Sequence, residues 1–586
     1  MPTVIPIDEF VAVEWYPGFR SAYENAPYIV EPVRTFSSGD QARFWFLDYH
    51  WSRGLTPLGT IWNEDGYAWG TQWAAETLPL PPGRGIVQRV AGTHTYAAPI
   101  EVTSPGEIAE RAARMARRLP DLLHDFPAIW AEREAEIETG WQRLRALDLS
   151  ALDLPGLGQA LRSARRFHRR AFEIHFELMY PLLVNYLGFR GACVDMGLDP
   201  AALGVFLQGV DTRISRTDRR LWDLTGQARR AGLGPVFAAT EAPELVATLD
   251  GLGGPAAAWM SRFRDMLAEH GWRSEGTSDV ALPSWVEDPT PPLGMIKTFL
   301  TQPHGHDGDA ARAALIAERD AAIEDARARL TPSRRAVFDA GLASVQAANF
   351  TWWQEEHNAV IDLRAALPLR WVALEIADRI GADARDDTLF LFWPELLELT
   401  ERGRSHDGEL RSLVRARRDY FEHWRARRID MPKVLGTVPD RVQDPILIEI
   451  FGLDRNFLTA VGRASQTPGA QAPDDAAGRR LVGLAASGGR VRGIARVLTD
   501  ADHLHRVQPG EVLVCESTSP NWTPAFGTVA ACVCDGGGIL SHAAIVGREY
   551  GIPTVTAVGV ATVMIKDGDE IEVDGTAGVV TVLRRA

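Results

Sequence analysis

The chain has 586 residues, of which 46% are hydrophobic and 24% charged, and its formal net charge is −15 at pH 7. At roughly 100–200 residues per domain, this length allows about three to five domains. Ordinary globular composition excludes a mainly disordered chain, a coiled coil and a collagen-like rod. The acidic balance gives no general support for binding nucleic acid or an anionic membrane, so neither is expected as a partner.

Four cysteines are too few for a disulfide framework. Cys532 and Cys534 lie in an apolar, strand-like run without the second pair or the histidines of a zinc site, so we expect small buried residues there and no metal-binding site. The N-terminus lacks the basic segment and apolar core of a signal peptide, and no run reaches about 18 apolar residues. These features predict a cytoplasmic protein that does not span a membrane.

Residues 1–105 are rich in Trp, Tyr, Gly and Pro, which predicts irregular structure with a few strands. Residues 106–465 are mostly helical by pattern, because apolar residues recur at spacings of three and four. The predicted helices span residues 108–145, 161–187, 240–268, 309–330, 333–378 and 409–427.

Residues 466–480 are predicted to be a flexible linker, because residues 466–478 contain Pro, Gly, Ala and Asp and no large apolar side chain. Residues 481–586 then change to short β-branched runs interrupted by one helix at 541–550. The predicted strands span residues 491–498, 511–515, 529–534, 554–558 and 570–573. The fold class is therefore multidomain α+β, with a large mainly helical domain followed by a C-terminal β/β/α domain.

Residues 535–553 contain the candidate catalytic residue, His542, within a glycine-rich segment. Three glycines follow a buried strand, so the backbone there can turn sharply or approach a ligand closely. Ser541 is well placed as a helix N-cap, which puts His542 in the first helical turn. Unpaired N–H groups and the positive helix end favour an anion and oppose protonation of the imidazole, so His542 is suited to attack phosphorus. A surface histidine in a glycine-rich turn is the alternative interpretation.

The pattern Gly-Gly-x-x-Ser-His-Ala-Ala-Ile-Val-x-Arg-Glu-x-Gly-Ile-Pro, which begins at Gly537, resembles the signature of the swivelling phosphohistidine domain of PEP-utilising enzymes. The resemblance covers about 95 residues and includes the loop 517–524, where relatives have a Thr-x-Pro-x-x-x-Pro pattern that starts here at Thr518. It implies that His542 carries a phosphoryl group, with Ser541, Gly537 and Thr518 beside it. Several relatives have Thr or Cys at the position of Ser541.

Relatives that make phosphohistidine from ATP use an ATP-grasp domain of about 300 residues, and only about 105 residues precede the helical region here. No P-loop motif is present, and no phosphoenolpyruvate-binding barrel follows the histidine domain. We therefore expect a separate ATP-grasp nucleotide-binding subunit to supply the phosphoryl group, with ATP and Mg²⁺ or Mn²⁺ bound on that partner.

Residues 1–465 resemble the acceptor-binding region of rifampin phosphotransferase and, more closely, the large subunit of phenylphosphate synthase. This resemblance implies transfer of the phosphoryl group to the hydroxyl of a phenol or 4-hydroxyphenyl ketone. A base and an arginine near aromatic side chains would serve such an acceptor. The candidates are Asp48, His50, Arg53, His175, Arg273, Glu356, His357 and Arg364.

His357 and Arg364 are seven residues apart on an apparent helix, so we expect them to share one face. A lone histidine on a helix is more often packed or solvated than catalytic, so packing remains open for each candidate. Two other functions also remain open: a phosphotransferase for another hydroxylated acceptor, such as an antibiotic, and a non-catalytic docking or regulatory protein that retains the carrier fold.

Overall fold

The computed structural model describes residues 3–11, 13–19, 31–199, 202–274, 276–301, 307–403, 407–466 and 479–586. The chain divides into two compact units. Unit 1 comprises Met1–Leu187, Gly276–Leu282 and Val360–Asp440, and unit 2 comprises Gly188–Glu275, Pro283–Ala359 and Arg441–Ala586. Apart from its ends, the predicted linker at 466–480 lies outside the described residues, and the predicted domain boundaries stay a prediction.

Unit 1 contains a six-stranded sheet in which neighbouring strands are antiparallel except for one parallel pair at an edge. In spatial order its strands are Thr3–Ile5, Val434–Val438, Phe44–Leu47, His94–Glu101, Gly83–Ala91 and Arg34–Thr35. The strands expected in residues 1–105 are therefore present. Val434–Val438 joins them from the region predicted to be helical, because its β-branched residues pair with Phe44–Leu47.

The α-helices of unit 1 are Gln72–Thr77, Pro105–His124, Phe126–Arg145, Leu154–Asp195 (whose last residues belong to unit 2), Leu367–Ile380, Trp393–Arg402 and Gly408–Ala426. The last four of these contribute to a core that includes Leu161, Ala373 and Leu396. The single helix predicted at 108–145 is two helices, because Asp125 leaves helical geometry and Pro127 has no N–H to continue the ladder.

Unit 2 combines helices with an eight-stranded mixed sheet. The helices are Ala202–Phe206, Arg213–Arg230, Gly234–Ala239, Leu245–Leu252, Gly254–His270, Thr290–Leu300, Gly308–Arg329, Pro332–Ala347, Phe350–His357, Pro445–Glu449, Arg455–Gln466, Thr523–Phe526, His542–Tyr550 and Ala561–Met564. The predicted helix 240–268 is interrupted at Gly253, where φ is +63°. The predicted helix 333–378 breaks before Asn349, whose side chain caps a new helix by accepting from the Trp352 N–H.

The sheet of unit 2 contains all five strands predicted in the C-terminal domain. In spatial order its strands are Arg480–Val482, Val579–Arg584, Glu570–Asp574, Arg490–Leu498, Val512–Cys515, Ala531–Cys534, Thr554–Thr556 and Leu484–Ser487. The four strands from Arg490–Leu498 to Thr554–Thr556 run parallel. Val512–Cys515 and Ala531–Cys534 pair with Cys515 opposite Cys534, so the loops that follow them leave the same edge of the sheet.

Replacement of Gly92 by alanine is expected to lower the stability of the protein. Gly92 has φ +61°, and an added Cβ would lie 1.9 Å from Cδ2 of Trp424. Gly381 has φ +68° with no described atom within 4 Å of an added Cβ, so Gly381→Ala isolates the backbone strain. We expect about 1–2 kcal/mol of destabilisation for Gly381→Ala, and a further 1–3 kcal/mol or so for Gly92→Ala from overpacking. Equal melting temperatures for the two variants would contradict this account.

Candidate active site

His542 begins the helix His542–Tyr550, and a glycine loop delivers the chain to it. Gly537 has φ +95°, and a Cβ on Gly538 would lie 2.2 Å from the carbonyl oxygen of Glu449. The N–H groups of Gly537 and Gly538 donate to the carbonyls of Phe451 and Ile450, at 2.9 and 2.8 Å. The glycines are needed for this close backbone approach, which fixes the start of the helix.

Two threonine hydroxyls hold the His542 ring. Oγ1 of Thr518 lies 2.8 Å from Nδ1, and Oγ1 of Thr523 lies 3.0 Å from Nε2. The Thr523 hydroxyl donates its own proton to the carbonyl of Pro520 at 2.8 Å, so it accepts from Nε2–H. Nδ1 therefore carries the lone pair and accepts from Thr518. Both threonines belong to the loop that follows Val512–Cys515, and the parallel register explains why this loop meets His542.

The His542 ring is uncharged at neutral pH. The residue is only 6% exposed, and Phe526 packs edge-on against its ring. Burial and then the positive charge of Arg273 lower the pKa of the imidazole to about 3. In this arrangement the ring is therefore in its unprotonated form, which is the nucleophilic form of an imidazole.

Arg273 is the acceptor-site candidate that lies near His542 within unit 2. Its guanidinium stacks over Trp285 at 4.6 Å, and its Nη2 donates to the carbonyl of Pro520 at 3.4 Å. The same carbonyl accepts from Thr523, so the arginine and the ring-binding threonine share one acceptor. A buried arginine beside the imidazole is suited to neutralise a phosphoryl group carried on that ring.

Ser541 occupies the N-cap position, as predicted, but the capping role expected for its side chain is wrong. The backbone of Ser541 is extended, with φ −71° and ψ 159°, and its side chain makes no capping hydrogen bond. Its Oγ is buried without a hydrogen-bond partner among the described residues. The helix start therefore depends on the glycine loop and not on a serine cap.

A cavity lies on the Thr523 side of His542, and acidic side chains line it, of which Asp218 and Glu355 are buried and Glu549 is half-buried. The lining includes Asp218, Glu355, Glu549 and Tyr550 together with Thr523. Burial raises the pKa of both Asp218 and Glu549 to about 7 and the pKa of Glu355 well above its ordinary range. The Tyr550 hydroxyl donates to Oδ2 of Asp218 at 3.1 Å. Sequence analysis missed this cluster.

The other two candidates in unit 2 are held by different contacts. Glu356 accepts from the Arg213 N–H at 2.9 Å and from Nη2 of Arg216 at 3.3 Å. Nδ1 of His357 bonds the Trp353 carbonyl at 2.9 Å, and its ring stacks on that indole. The expected face shared by His357 and Arg364 is wrong, because a π-helical segment, Asn358–Asp362, follows Phe350–His357 and breaks the α-helical spacing.

Unit 1 contains the remaining candidates. Oδ1 of Asp48 lies 2.7 Å from Nδ1 of His50. Burial disfavours the imidazolium form of His50, but the Asp48 carboxylate outweighs this effect and raises the pKa of His50. The rings of Trp51, Trp62 and Tyr67 surround this pair. Arg53 follows in the same loop and is half-buried.

His175 and Arg364 lie in other contacts of unit 1. Nδ1 of His175 is 3.5 Å from Oδ1 of Asp362. Nη2 of Arg364 is 2.7 Å from Oε2 of Glu138, and its guanidinium lies over the Trp141 ring at 4.9 Å. The roles of the five unit 1 candidates in acceptor binding stay predictions.

Three cysteines cluster in the core of the C-terminal sheet. Cys532 and Cys534 are buried, as predicted, and Cys515 joins them, with Sγ–Sγ distances of 3.6 Å from Cys534 to each of the others. Burial raises the pKa of the Cys515 thiol well above its ordinary range. The three sulfurs lie close enough together to contact one metal ion, so the expected absence of a metal site is not decided.

Among the residues that the structure describes, no helix is both long enough and apolar enough to cross a bilayer. The predicted cytoplasmic localisation stays a prediction.

Two family descriptions match this chain. Residues 507–578 match the PEP-utilising enzyme, mobile domain, and residues 182–355 match the rifampicin phosphotransferase fourth domain. The first range contains Thr518, Thr523 and His542, and the second contains Asp218, Arg273 and Glu355. The chain therefore carries the mobile domain of PEP-utilising enzymes, and the residues around His542 come from both matched regions.

The chain is a homologue of the rifampicin phosphotransferases and related PEP-utilising enzymes. It is 32% identical to chondramide synthase cmdD of Chondromyces crocatus over 93% of this chain and 14% of that protein. It is 29% identical to the uncharacterized phosphotransferase YvkC of Bacillus subtilis (strain 168), over 73% of this chain and 49% of that protein. A rifampicin phosphotransferase of Streptomyces sp is 30% identical over 58% of this chain and 38% of that protein. The chain thus spans less than half the length of each.

Asp218→Asn is expected to stabilise the protein at alkaline pH. Folded Asp218, with a pKa of about 7, holds a proton that the unfolded chain releases near 3.8. Its contribution to stability is therefore greatest below pH 4 and is lost as pH rises to about 7. A shift of about three units corresponds to at most roughly 4 kcal/mol.

The test compares the melting temperatures of wild type, Asp218→Asn and Asp223→Asn at pH 5 and pH 8. Asp223 lies on the same helix but is exposed, so it is the matched control. The advantage of Asp218→Asn over wild type should grow from pH 5 to pH 8, while Asp223→Asn follows wild type. A pH-independent difference would show that Asp218 is not buried in the protonated state.

Proposed function

We propose that this chain is a phosphotransferase subunit in which His542 carries a phosphoryl group from a donor to the hydroxyl of a phenolic compound. The phenol or 4-hydroxyphenyl ketone class is the proposed acceptor, and an aryl phosphate is the product. The observation that carries the proposal is the His542 environment: a buried, uncharged imidazole between two threonine hydroxyls and near Arg273.

The phosphoryl group is proposed to come from a separate ATP-grasp subunit that binds ATP with Mg²⁺ or Mn²⁺. A ring nitrogen of His542 forms a bond to phosphorus as the P–O bond of the donor breaks. With water as co-reactant, the overall reaction converts ATP and a phenol into an aryl phosphate, AMP and phosphate. The two-component arrangement makes the enzyme a dikinase-like aryl kinase.

Phosphorylation requires that His542 leave the arrangement seen here. The ring is buried, so a donor subunit cannot reach it in place. Thr518 and Thr523 lie in the same domain as His542, so one of these hydroxyls must also give up its hydrogen bond to the ring nitrogen that takes phosphorus. We propose that the domain from residue 479 to 586 moves out to the donor and returns with phosphohistidine, with the predicted linker as its tether. Rigid-body motion about a short segment is a common way to bring one group to two sites.

Aromatic side chains support the proposed acceptor class. In unit 1, Trp51, Trp62 and Tyr67 surround the Asp48–His50 pair. In unit 2, Trp222 and Tyr550 line the cavity on the Thr523 side of His542. Flat aromatic surfaces next to proton acceptors suit a planar ring that carries a hydroxyl group.

An antibiotic hydroxyl is the second candidate acceptor. It is favoured by the relatives named rifampicin phosphotransferase, which match 18–58% of this chain at 25–43% identity. Incubation of the phosphorylated chain with a phenol panel and with rifampicin separates the two acceptors, because each product has its own mass. Phosphorylation of neither compound would leave the non-catalytic docking protein as the better interpretation.

His542→Ala is expected to abolish aryl phosphate formation, because it removes the ring nitrogen that is proposed to carry the phosphoryl group between the two sites. His503→Ala is the matched control, since His503 lies in the same domain and is hydrogen-bonded to Asp500. The assay contains the chain, a candidate ATP-grasp protein, ATP, Mg²⁺ and a phenol, and product is measured by phosphorus NMR. Turnover by His542→Ala at the wild-type rate would refute the proposal.

The source of the phosphoryl group is tested separately. With labelled ATP and Mg²⁺ alone, we expect the full chain to remain unlabelled, because the donor site is proposed to be on the partner. Addition of the ATP-grasp protein should label His542 in the wild-type chain and in His503→Ala. Labelling by ATP alone would show that the proposed partner is not needed.

A further inference from the structure

The cavity beside His542 combines a hydrophobic wall with acidic side chains. Ile214, Trp222, Leu315 and Val546 form part of its lining. The polar part comes from three elements: Asp218 on Arg213–Arg230, Glu355 on Phe350–His357, and Glu549 with Tyr550 on His542–Tyr550. Thr523, whose hydroxyl contacts Nε2 of His542, also lines the cavity. One end of the cavity is therefore adjacent to the imidazole.

Two of these acids present oxygens without partners. Oε1 of Glu355 and Oε1 of Glu549 are buried and have no hydrogen-bond partner among the described residues, and Glu355 as a whole is 1% exposed. Buried polar atoms are normally paired, so such atoms point to a missing hydrogen-bond partner. The cavity is therefore suited to a polar group that can both donate and accept hydrogen bonds, as a hydroxyl does.

We propose that this cavity receives the acceptor hydroxyl and that Asp218 is a catalytic residue that takes its proton as the phosphoryl group leaves His542. This assignment rests on the phosphotransferase function proposed above. It identifies a base in unit 2, whereas the sequence analysis named candidates in both units, His50 among them, without choosing the base.

Its contacts favour Asp218 over Glu355 and Glu549 as the base. The Tyr550 hydroxyl fixes the orientation of its carboxyl group at 3.1 Å. The positive charge of Arg273 lowers the pKa of Asp218 and that of His542, so both groups lie within the electrostatic reach of one guanidinium. Burial outweighs this effect at Asp218 and raises its pKa to about 7, which is suitable for a general base at neutral pH.

The phosphoryl group is placed on Nε2, the nitrogen that faces Thr523 and the cavity, so the ring proton of phosphohistidine is on Nδ1, the reverse of the tautomer in the unphosphorylated ring. In the transfer step the P–N bond breaks at Nε2 as the P–O bond forms to the acceptor oxygen, and the hydroxyl proton moves to the Asp218 carboxylate. The imidazole leaves uncharged with its proton on Nδ1, and proton exchange with solvent restores the resting tautomer.

The charged and titratable groups that line this cavity or act on the pKa of Asp218, among the residues that the structure describes, also bear on its pH dependence. They are Arg219 on the same helix, Arg273, Arg312, Glu355, Glu549 and Tyr550. Transfer should rise with pH as Asp218 loses its proton near 7 and then level off. Glu549 also titrates near 7, so Glu549→Gln is needed as a comparison.

The experiment is a single-turnover transfer to phenol from full-length chain that has first been phosphorylated by the candidate ATP-grasp protein. It compares wild type with Asp218→Asn, Asp218→Glu, Tyr550→Phe, Glu549→Gln and the exposed control Asp223→Asn over pH 5.5–8.5. We expect Asp218→Asn to form phosphohistidine to the wild-type level but to transfer it about 10²–10⁴-fold more slowly and without the rise near pH 7. Asp218→Glu should recover part of the rate, and Glu549→Gln should keep the pH rise.

The outcomes separate this assignment from a structural role and from the proposed function itself. If Asp218 only holds Tyr550 in place, Tyr550→Phe will slow transfer as much as Asp218→Asn, and the assignment is overturned. If His50→Ala loses the rise of the transfer rate with pH and Asp218→Asn keeps it, the base is in unit 1 and the assignment of Asp218 is overturned. Failure of Asp218→Asn to form phosphohistidine would also overturn this assignment. If wild type forms no phosphohistidine at residue 542, the proposed function has failed instead.

Discussion

The rest of this site depends on one constraint, which is that the imidazole of His542 is buried in its uncharged form. His542 is enclosed by Thr518, Thr523 and Phe526, and Arg273 makes protonation still less favourable. A histidine in water would be partly protonated near neutral pH and then unable to attack phosphorus. Here the surroundings keep the ring nucleophilic, and the same arginine is available to balance the negative charge that a phosphoryl group would bring.

This environment follows from the register of the parallel sheet. Cys515 lies opposite Cys534, so the loop with the two threonines and the loop with the glycines leave the sheet side by side. The glycine loop is tied by backbone hydrogen bonds to the segment 449–451, which fixes the first turn of His542–Tyr550. The helix then carries Glu549 and Tyr550 to the wall of the acidic cavity. The glycine loop and the helix that follows it therefore position both the phosphoryl carrier, His542, and two residues of the neighbouring cavity wall.

The sequence was informative where local patterns decide the structure. The glycine run, the position of Ser541 and the helix that begins at His542 could be predicted because they depend on neighbouring residues. Thr518 was reached through the resemblance of its loop, and Thr523 lay in that loop without being singled out. Asp218 and Glu355 could not be found, since a carboxyl group on a helix gives no sign in the sequence of whether it is buried. Val434–Val438 could not be predicted either, because it is a strand through its pairing with Phe44–Leu47 and Thr3–Ile5, which are distant in sequence.

Helix length was the other feature that sequence periodicity overstated. The apolar spacing continues through Asp125, Gly253 and Asn349, but the backbone changes direction at each of them. The π-helical segment Asn358–Asp362 has the further effect of separating His357 from the face expected for Arg364. The candidate site residues chosen by helical spacing, His357 and Arg364, were therefore predicted less well than His542, which was chosen from a motif whose residues explain its chemistry.

The central claim is that phosphorus passes through His542 on its way to the acceptor. The most direct measurement follows the modified residue and the product in one reaction: the chain is phosphorylated, mixed with a phenol, quenched in alkali at successive times, and mapped by peptide mass spectrometry. The account predicts an acid-labile phosphoryl group on His542 that disappears at the rate at which aryl phosphate forms. A phosphoryl group on a different residue, or one that persists on His542 while product accumulates, would contradict it.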